Sequence, residues 1–138
     1  MHPSFTQSRL GLTTGQVLTL VFTGAILWFL AAIILRTIGP MGAFEGGNRA
    51  LLYALTIPAT VPFVWAVQRL AKLAGNQIVI GVAVATATAG LLDGIAVAWF
   101  SQLYGGDLPQ VTNSAAAILW GAGVALALAC VMNREPTT

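Results

Sequence analysis

The sequence predicts an all-α fold, a polytopic integral membrane four-helix bundle with both termini cytoplasmic. Three observations lead there: the composition, four apolar runs of bilayer length, and the distribution of the cations. Of 138 residues 57% are apolar and 7% charged, against about 25% charged in a typical soluble domain, so water is a poor solvent for most of this surface. The apolar runs are Val17 to Leu35, Ala50 to Val67, Ile78 to Phe100 and Ser114 to Met132. Each approaches or exceeds the roughly 18 to 20 residues that cross a hydrocarbon core about 30 Å thick. With their flanks they give spans at about 17–37, 50–70, 78–104 and 114–132 within a single membrane domain, 1–138. The tails and loops are too short for a separate soluble fold.

The first span is expected to be retained. Its run exceeds the roughly 7 to 15 residues of a signal-peptide core, and Arg36-Thr37-Ile38-Gly39-Pro40 offers no small-x-small cleavage pattern. With four spans both termini share a side. That side carries Arg9, Arg69, Lys72 and Arg134, the other Arg36 and Arg49, and the positive-inside rule places the larger group in the cytoplasm. The cations form no basic run that would suggest nucleic-acid binding.

Both outer loops mix glycine with proline, as in Gly39-Pro40-Met41-Gly42 and Gly105-Gly106-Asp107-Leu108-Pro109, and helices are expected to stop there. Asn48 and Asn113 are expected to cap the second and fourth helices. Trp99, Tyr104 and Trp65 fall near span ends, where aromatic rings anchor at the interface.

In the second span Pro58 and Pro62 each remove a backbone donor and clash with the carbonyl four residues earlier, so a kink is expected. The carbonyls of Ala54 and Pro58 then need partners, which Thr56 or Thr60 can help to supply. Lipid provides no hydrophobic drive between helices, so association relies on small residues that let backbones approach. The fourth span repeats Ala117, Gly121, Ala125 and Ala129; the third repeats Gly81, Ala85 and Ala89 beside a Gly90-x-x-x-Gly94 pair. A tight antiparallel contact between spans three and four is the expected use, a homodimer seam the competing one. The only cysteine, Cys130, lies in the fourth span and reads as a small packing residue.

Asp93 is the one acid inside an apolar span. An acid at membrane depth costs roughly 2.5 to 3.5 kcal/mol unless something pairs with it. It lies about 22 Å from the start of its helix, in the outer third of the bilayer. Arg36, Arg49, Tyr53 and Thr56 approach that level from neighbouring helices, and an ion pair to Arg36 or Arg49 is expected. Two roles compete for this polar intramembrane cluster. One is a buried pair that fixes helix register; the other is a titrating or solute-binding group facing a small outward cavity.

Enzyme motifs are absent. The sequence has no nucleotide-binding glycine loop and no second acid at membrane depth, and its only histidine, His2, is in the tail. No metal, catalytic residue or cofactor is therefore assigned, though a carotenoid, quinone or lipid could lie against Trp28, Phe29, Trp99, Phe100 and Trp120.

The stretch Leu91-Leu92-Asp93-Gly94-Ile95-Ala96-Val97-Ala98-Trp99-Phe100, then Leu103-Tyr104 and Ala117-Ile118-Leu119-Trp120-Gly121, with Leu55-Thr56-Ile57-Pro58, resembles a bacterial family of small four-span integral membrane proteins catalogued as a domain of unknown function. The resemblance covers about Leu18 to Met132. It implies four helices, an acid in the third and the bacterial inner (plasma) membrane, and it transfers no activity. The family pattern has a proline after the Trp99-Phe100 pair where this chain has Ser101, which bears on how the third helix ends. A non-enzymatic bundle or accessory subunit of a membrane complex is the expected function. Its expected partners are the lipid bilayer and either further copies or a larger complex, engaged through spans three and four. The alternative is a small oligomeric transporter or channel for a proton, cation or small solute, using Asp93.

Overall fold

A computed structural model of the chain describes residues 9–135; His2 lies outside them. Four helices are long and apolar enough to cross a membrane: α1 (Thr14–Ile38), α2 (Gly46–Leu70), α3 (Ile78–Trp99) and α4 (Leu108–Met132). Helix α1 starts with a reciprocal cap, in which Gln16 N donates to Thr13 Oγ1 at 3.1 Å and Thr13 N to Gln16 Oε1 at 3.0 Å. It runs into a short 3-10 turn, Gly39–Met41, closed by Gly42 at φ 87°, a left-handed conformation that glycine adopts without strain.

Hydrogen bonds across the ends fix an up-down-up-down path. At one end the α2–α3 connection holds both chain ends: Gln77 Nε2 donates to Gly11 O at 2.9 Å, and Arg134 N to Gly75 O at 2.7 Å. At the opposite end Gln110 Nε2 at the start of α4 donates to Leu35 O of α1 at 3.0 Å. The first end carries Arg9, Arg69, Lys72 and Arg134, and the second Arg36 and Arg49. Arg69 lies over the Trp65 ring, 3.9 Å from its centroid.

Helices α1 and α3 share the most extensive interface, followed by α3 with α4 and α2 with α4. Its centre is Gly24, where an added Cβ would stand 2.5 Å from the backbone oxygen of Ala85. Only a residue without a side chain lets the two backbones approach so closely. Spans three and four do pack against each other as expected, but the closest backbone approach is between α1 and α3. Ala85 belongs to the anticipated small-residue stripe, but α1 uses it.

The other small residues divide. Ala129 is fully buried in a cluster with Leu12, Leu20, Val64, Val67 and Val82, and Ala125 packs against it. Gly121 faces Thr56 of α2, whose Cγ2 lies 3.9 Å from an added Cβ, while Ala117 is half-buried. Gly90 and Gly94 have nothing within 4 Å of an added Cβ and are exposed. Since 3.9 Å is ordinary contact, Gly121→Ala is expected to be tolerated. Gly121→Leu should cost about 1 to 3 kcal/mol by overpacking. Thermal unfolding in detergent measures both, and an unchanged leucine variant would mean that this position faces lipid.

Three boundaries differ from expectation. Helix α4 begins at Leu108 because Asp107, not Asn113, is its cap: the Asp107 carboxylate accepts from Gln110 N at 3.2 Å, and Pro109 occupies the first turn. Helix α2 begins before Asn48, which lies inside it and donates to Gly42 O at 3.1 Å instead of capping. Helix α3 stops at Trp99, and Phe100 (φ −130°, ψ 45°) leads into a 3-10 turn over Ser101–Tyr104.

Helix α2 passes through Pro58 and Pro62 without interruption, with both prolines exposed. Thr56 Oγ1 donates to Leu52 O at 2.7 Å and Thr60 Oγ1 to Thr56 O at 2.6 Å. The threonines thus bond back within the helix, not to the carbonyls of Ala54 and Pro58. Cys130 is exposed on α4 and is not the packing residue expected. It joins a belt of outward apolar side chains that includes Phe22, Leu91, Leu119 and Val131, far more than a water-facing surface carries.

Candidate functional site: the Asp93–Tyr104–Trp28 chain

The main polar feature in the half of the bundle nearer the α1–α2 and α3–α4 connections is assembled from three elements. Asp93 projects from α3, Tyr104 ends the 3-10 turn that follows, and Trp28 comes from α1. Tyr104 Oη donates to Asp93 Oδ1 at 2.5 Å and accepts from Trp28 Nε1 at 3.1 Å. One phenol therefore satisfies the acid and the indole together, using both its donor and an acceptor lone pair. Its ring is fully buried in a cluster with Ala32, Ala96 and Val111, against which Trp28, Val97, Leu103 and Ile118 pack.

The turn makes this geometry. Had α3 continued to residue 104, Tyr104 would stand about 16 Å beyond Asp93 along the axis. The non-helical backbone at Phe100 breaks the helix, and the turn folds the phenol back under it. A hydrogen bond between phenol and carboxyl gains from low surrounding polarity.

The five residues expected to form the polar cluster are not brought together by hydrogen bonds or ion pairs. Arg49 turns its Nε to the Phe44 carbonyl at 2.8 Å. Arg36, in the last turn of α1, borders a groove beside Trp28 and Leu92. Neither arginine lies within the 4.0 Å of an ion pair from Asp93, which corrects the expected pairing. The physical reason is desolvation: drawing a guanidinium inward costs several kcal/mol, whereas a phenol is already available in the interior. Tyr53 and Thr56 belong to the α2–α4 seam. The Tyr53 ring stacks on Trp120 with centroids 5.4 Å apart, and Trp120 Nε1 donates to Tyr53 O at 2.9 Å.

Tyr104 and Trp28 are the residues that sequence reasoning assigned elsewhere. Tyr104 reads as an interface anchor but is 0% exposed, whereas neighbouring Trp99 is 75% exposed and free to lie at an interface. Ser114 adds one more polar group at comparable depth: it lies six residues into α4, as Asp93 lies six before the end of α3. Its hydroxyl is buried with no hydrogen-bond partner among the described residues. No group of three or more metal-ligating side chains occurs among the described residues.

The arrangement can hold a carboxylate in one orientation and tie α1, α3 and the following turn to it. No protein-family model matches this chain, and comparison with curated proteins and with solved structures likewise yields no match.

Proposed function

We propose that this protein is a non-enzymatic helical bundle of the bacterial inner membrane, with both termini cytoplasmic, that assembles through the outward face of α3 with another transmembrane helix. That helix belongs to a second copy or to a larger membrane complex. The observation that carries the reading is the unfilled Gly90–Gly94 face. Two glycines four apart on the exposed side of α3 have no neighbour within 4 Å of an added Cβ, although each weakens helix propensity by about 1 kcal/mol relative to alanine. A close-packed partner helix gives such positions a use in lipid. The Asp93–Tyr104–Trp28 chain then acts as an internal clasp that fixes how α3 presents this face.

The double variant Gly90→Leu/Gly94→Leu tests the reading. Nothing inside the chain is crowded by it, so thermal stability in detergent should not fall, and the gain in helix propensity should raise it by about 1 to 2 kcal/mol. Chemical cross-linking in native membranes should lose its higher-mass species. Cross-linking identical to wild type would sink the proposal.

The alternative, a proton or cation carrier using Asp93, draws on the general association of intramembrane acids with ion pathways. Reconstituted vesicles separate the two. A clasp predicts no pH-driven flux for wild type, whereas a flux abolished by Asp93→Asn supports the carrier.

A further inference from the structure

A second feature lies on a different flank of α3. At about 100° per residue, Leu92, Ile95 and Trp99 fall on the side away from Gly90 and Gly94. With Trp28 of α1 they wall a groove of about 660 Å³ at the end of the bundle that carries the α1–α2 and α3–α4 connections. The groove is apolar over most of its length, and polar groups enter it from Arg36 and Gln102. Arg36 has no hydrogen-bond or ion-pair partner among the described residues. It stands eight residues beyond Trp28 on α1, about 12 Å further towards the helix end.

We propose that this groove binds one anionic phospholipid, with its phosphate on the Arg36 guanidinium and an acyl chain along Leu92, Ile95 and Trp99. The charge asks for an anion, and the guanidinium presents a fork of donors that matches a phosphate. The walls ask for hydrocarbon. Both demands are met at once by a molecule whose charged and apolar parts are separated along the membrane normal, an anionic phospholipid of the outer leaflet in the orientation proposed above. Gln102 supplies a further donor beside the headgroup. This reading is independent of assembly through Gly90 and Gly94, since it uses other residues.

The test is native mass spectrometry of the delipidated full chain titrated with phosphatidylglycerol or phosphatidylcholine of identical acyl composition. Wild type should bind one phosphatidylglycerol more tightly than phosphatidylcholine by about fivefold, the scale of one basic residue at an anionic surface. Arg36→Lys should keep the preference and Arg36→Gln should remove it. Arg49→Gln, whose native side chain is committed to the Phe44 carbonyl, should leave it unchanged. Equal affinity of wild type for the two lipids overturns the proposal, as does a preference that survives in Arg36→Gln or falls equally in Arg49→Gln.

Discussion

Gly24→Leu is expected to cost about 3 kcal/mol or more and to prevent recovery of a folded bundle, the upper end of the overpacking range. The obstacle is backbone: an added Cβ would stand 2.5 Å from the Ala85 oxygen and 3.1 Å from its carbonyl carbon, and no rotamer change relieves that. Even Gly24→Ala must push α1 and α3 apart along their most extensive interface. Gly123→Ala provides the control, because nothing lies within 4 Å of an added Cβ there. It should be at least as stable as wild type, gaining up to about 1 kcal/mol from helix propensity. Thermal or chemical unfolding in detergent measures the series, and a Gly24→Leu protein as stable as wild type would refute the close α1–α3 approach.

Tyr104→Phe carries the second large effect. It removes one oxygen and strands two groups, the Asp93 carboxylate and the Trp28 indole N–H. Leaving a buried polar group unpaired costs about 1 to 3 kcal/mol; with both groups half-buried, a total loss of about 2 to 3 kcal/mol is expected. Asp93→Asn keeps an acceptor for the phenol and should cost less. Asp93→Ala strands only the Tyr104 donor, since no arginine is paired to the acid. It should therefore cost about 1 to 3 kcal/mol, not the larger penalty of breaking a buried ion pair. The double variant Asp93→Ala/Tyr104→Phe should lose less than the sum of the singles, a coupling of about 0.5 to 3 kcal/mol. Strict additivity would contradict the bond.

Much of the fold was legible because bilayer length and hydropathy act over twenty residues at a time. The start of α4 was also legible in principle: Asp107 followed by Leu108-Pro109 is a cap with proline in the first turn, masked by the glycines before it. Gly24 gave no periodic signal, since Leu20 and Trp28 occupy the positions four away on α1. Its importance comes from the partner backbone, which no local pattern reveals. Asp93 stood out as the acid at membrane depth, but its partner did not. Tyr104 reaches it only because one residue with non-helical dihedrals ends α3; a helix extrapolated through that residue carries the phenol away.

Gly90 and Gly94 show the converse. Their spacing marked a surface where close approach was expected, yet nothing in this chain occupies it. Helix α3 already gives its buried side, with Gly81, Val82, Ala85 and Ala96, to its own bundle, so the glycine face is left over.

Native mass spectrometry of the wild-type protein, released from membranes in mild detergent, addresses assembly through that face most directly. The account predicts a species heavier than one chain, either a homo-oligomer or this chain with a foreign subunit, which reverts to the single chain in Gly90→Leu/Gly94→Leu. A wild-type protein that appears only as the single chain, or an assembly untouched by the double variant, would contradict it.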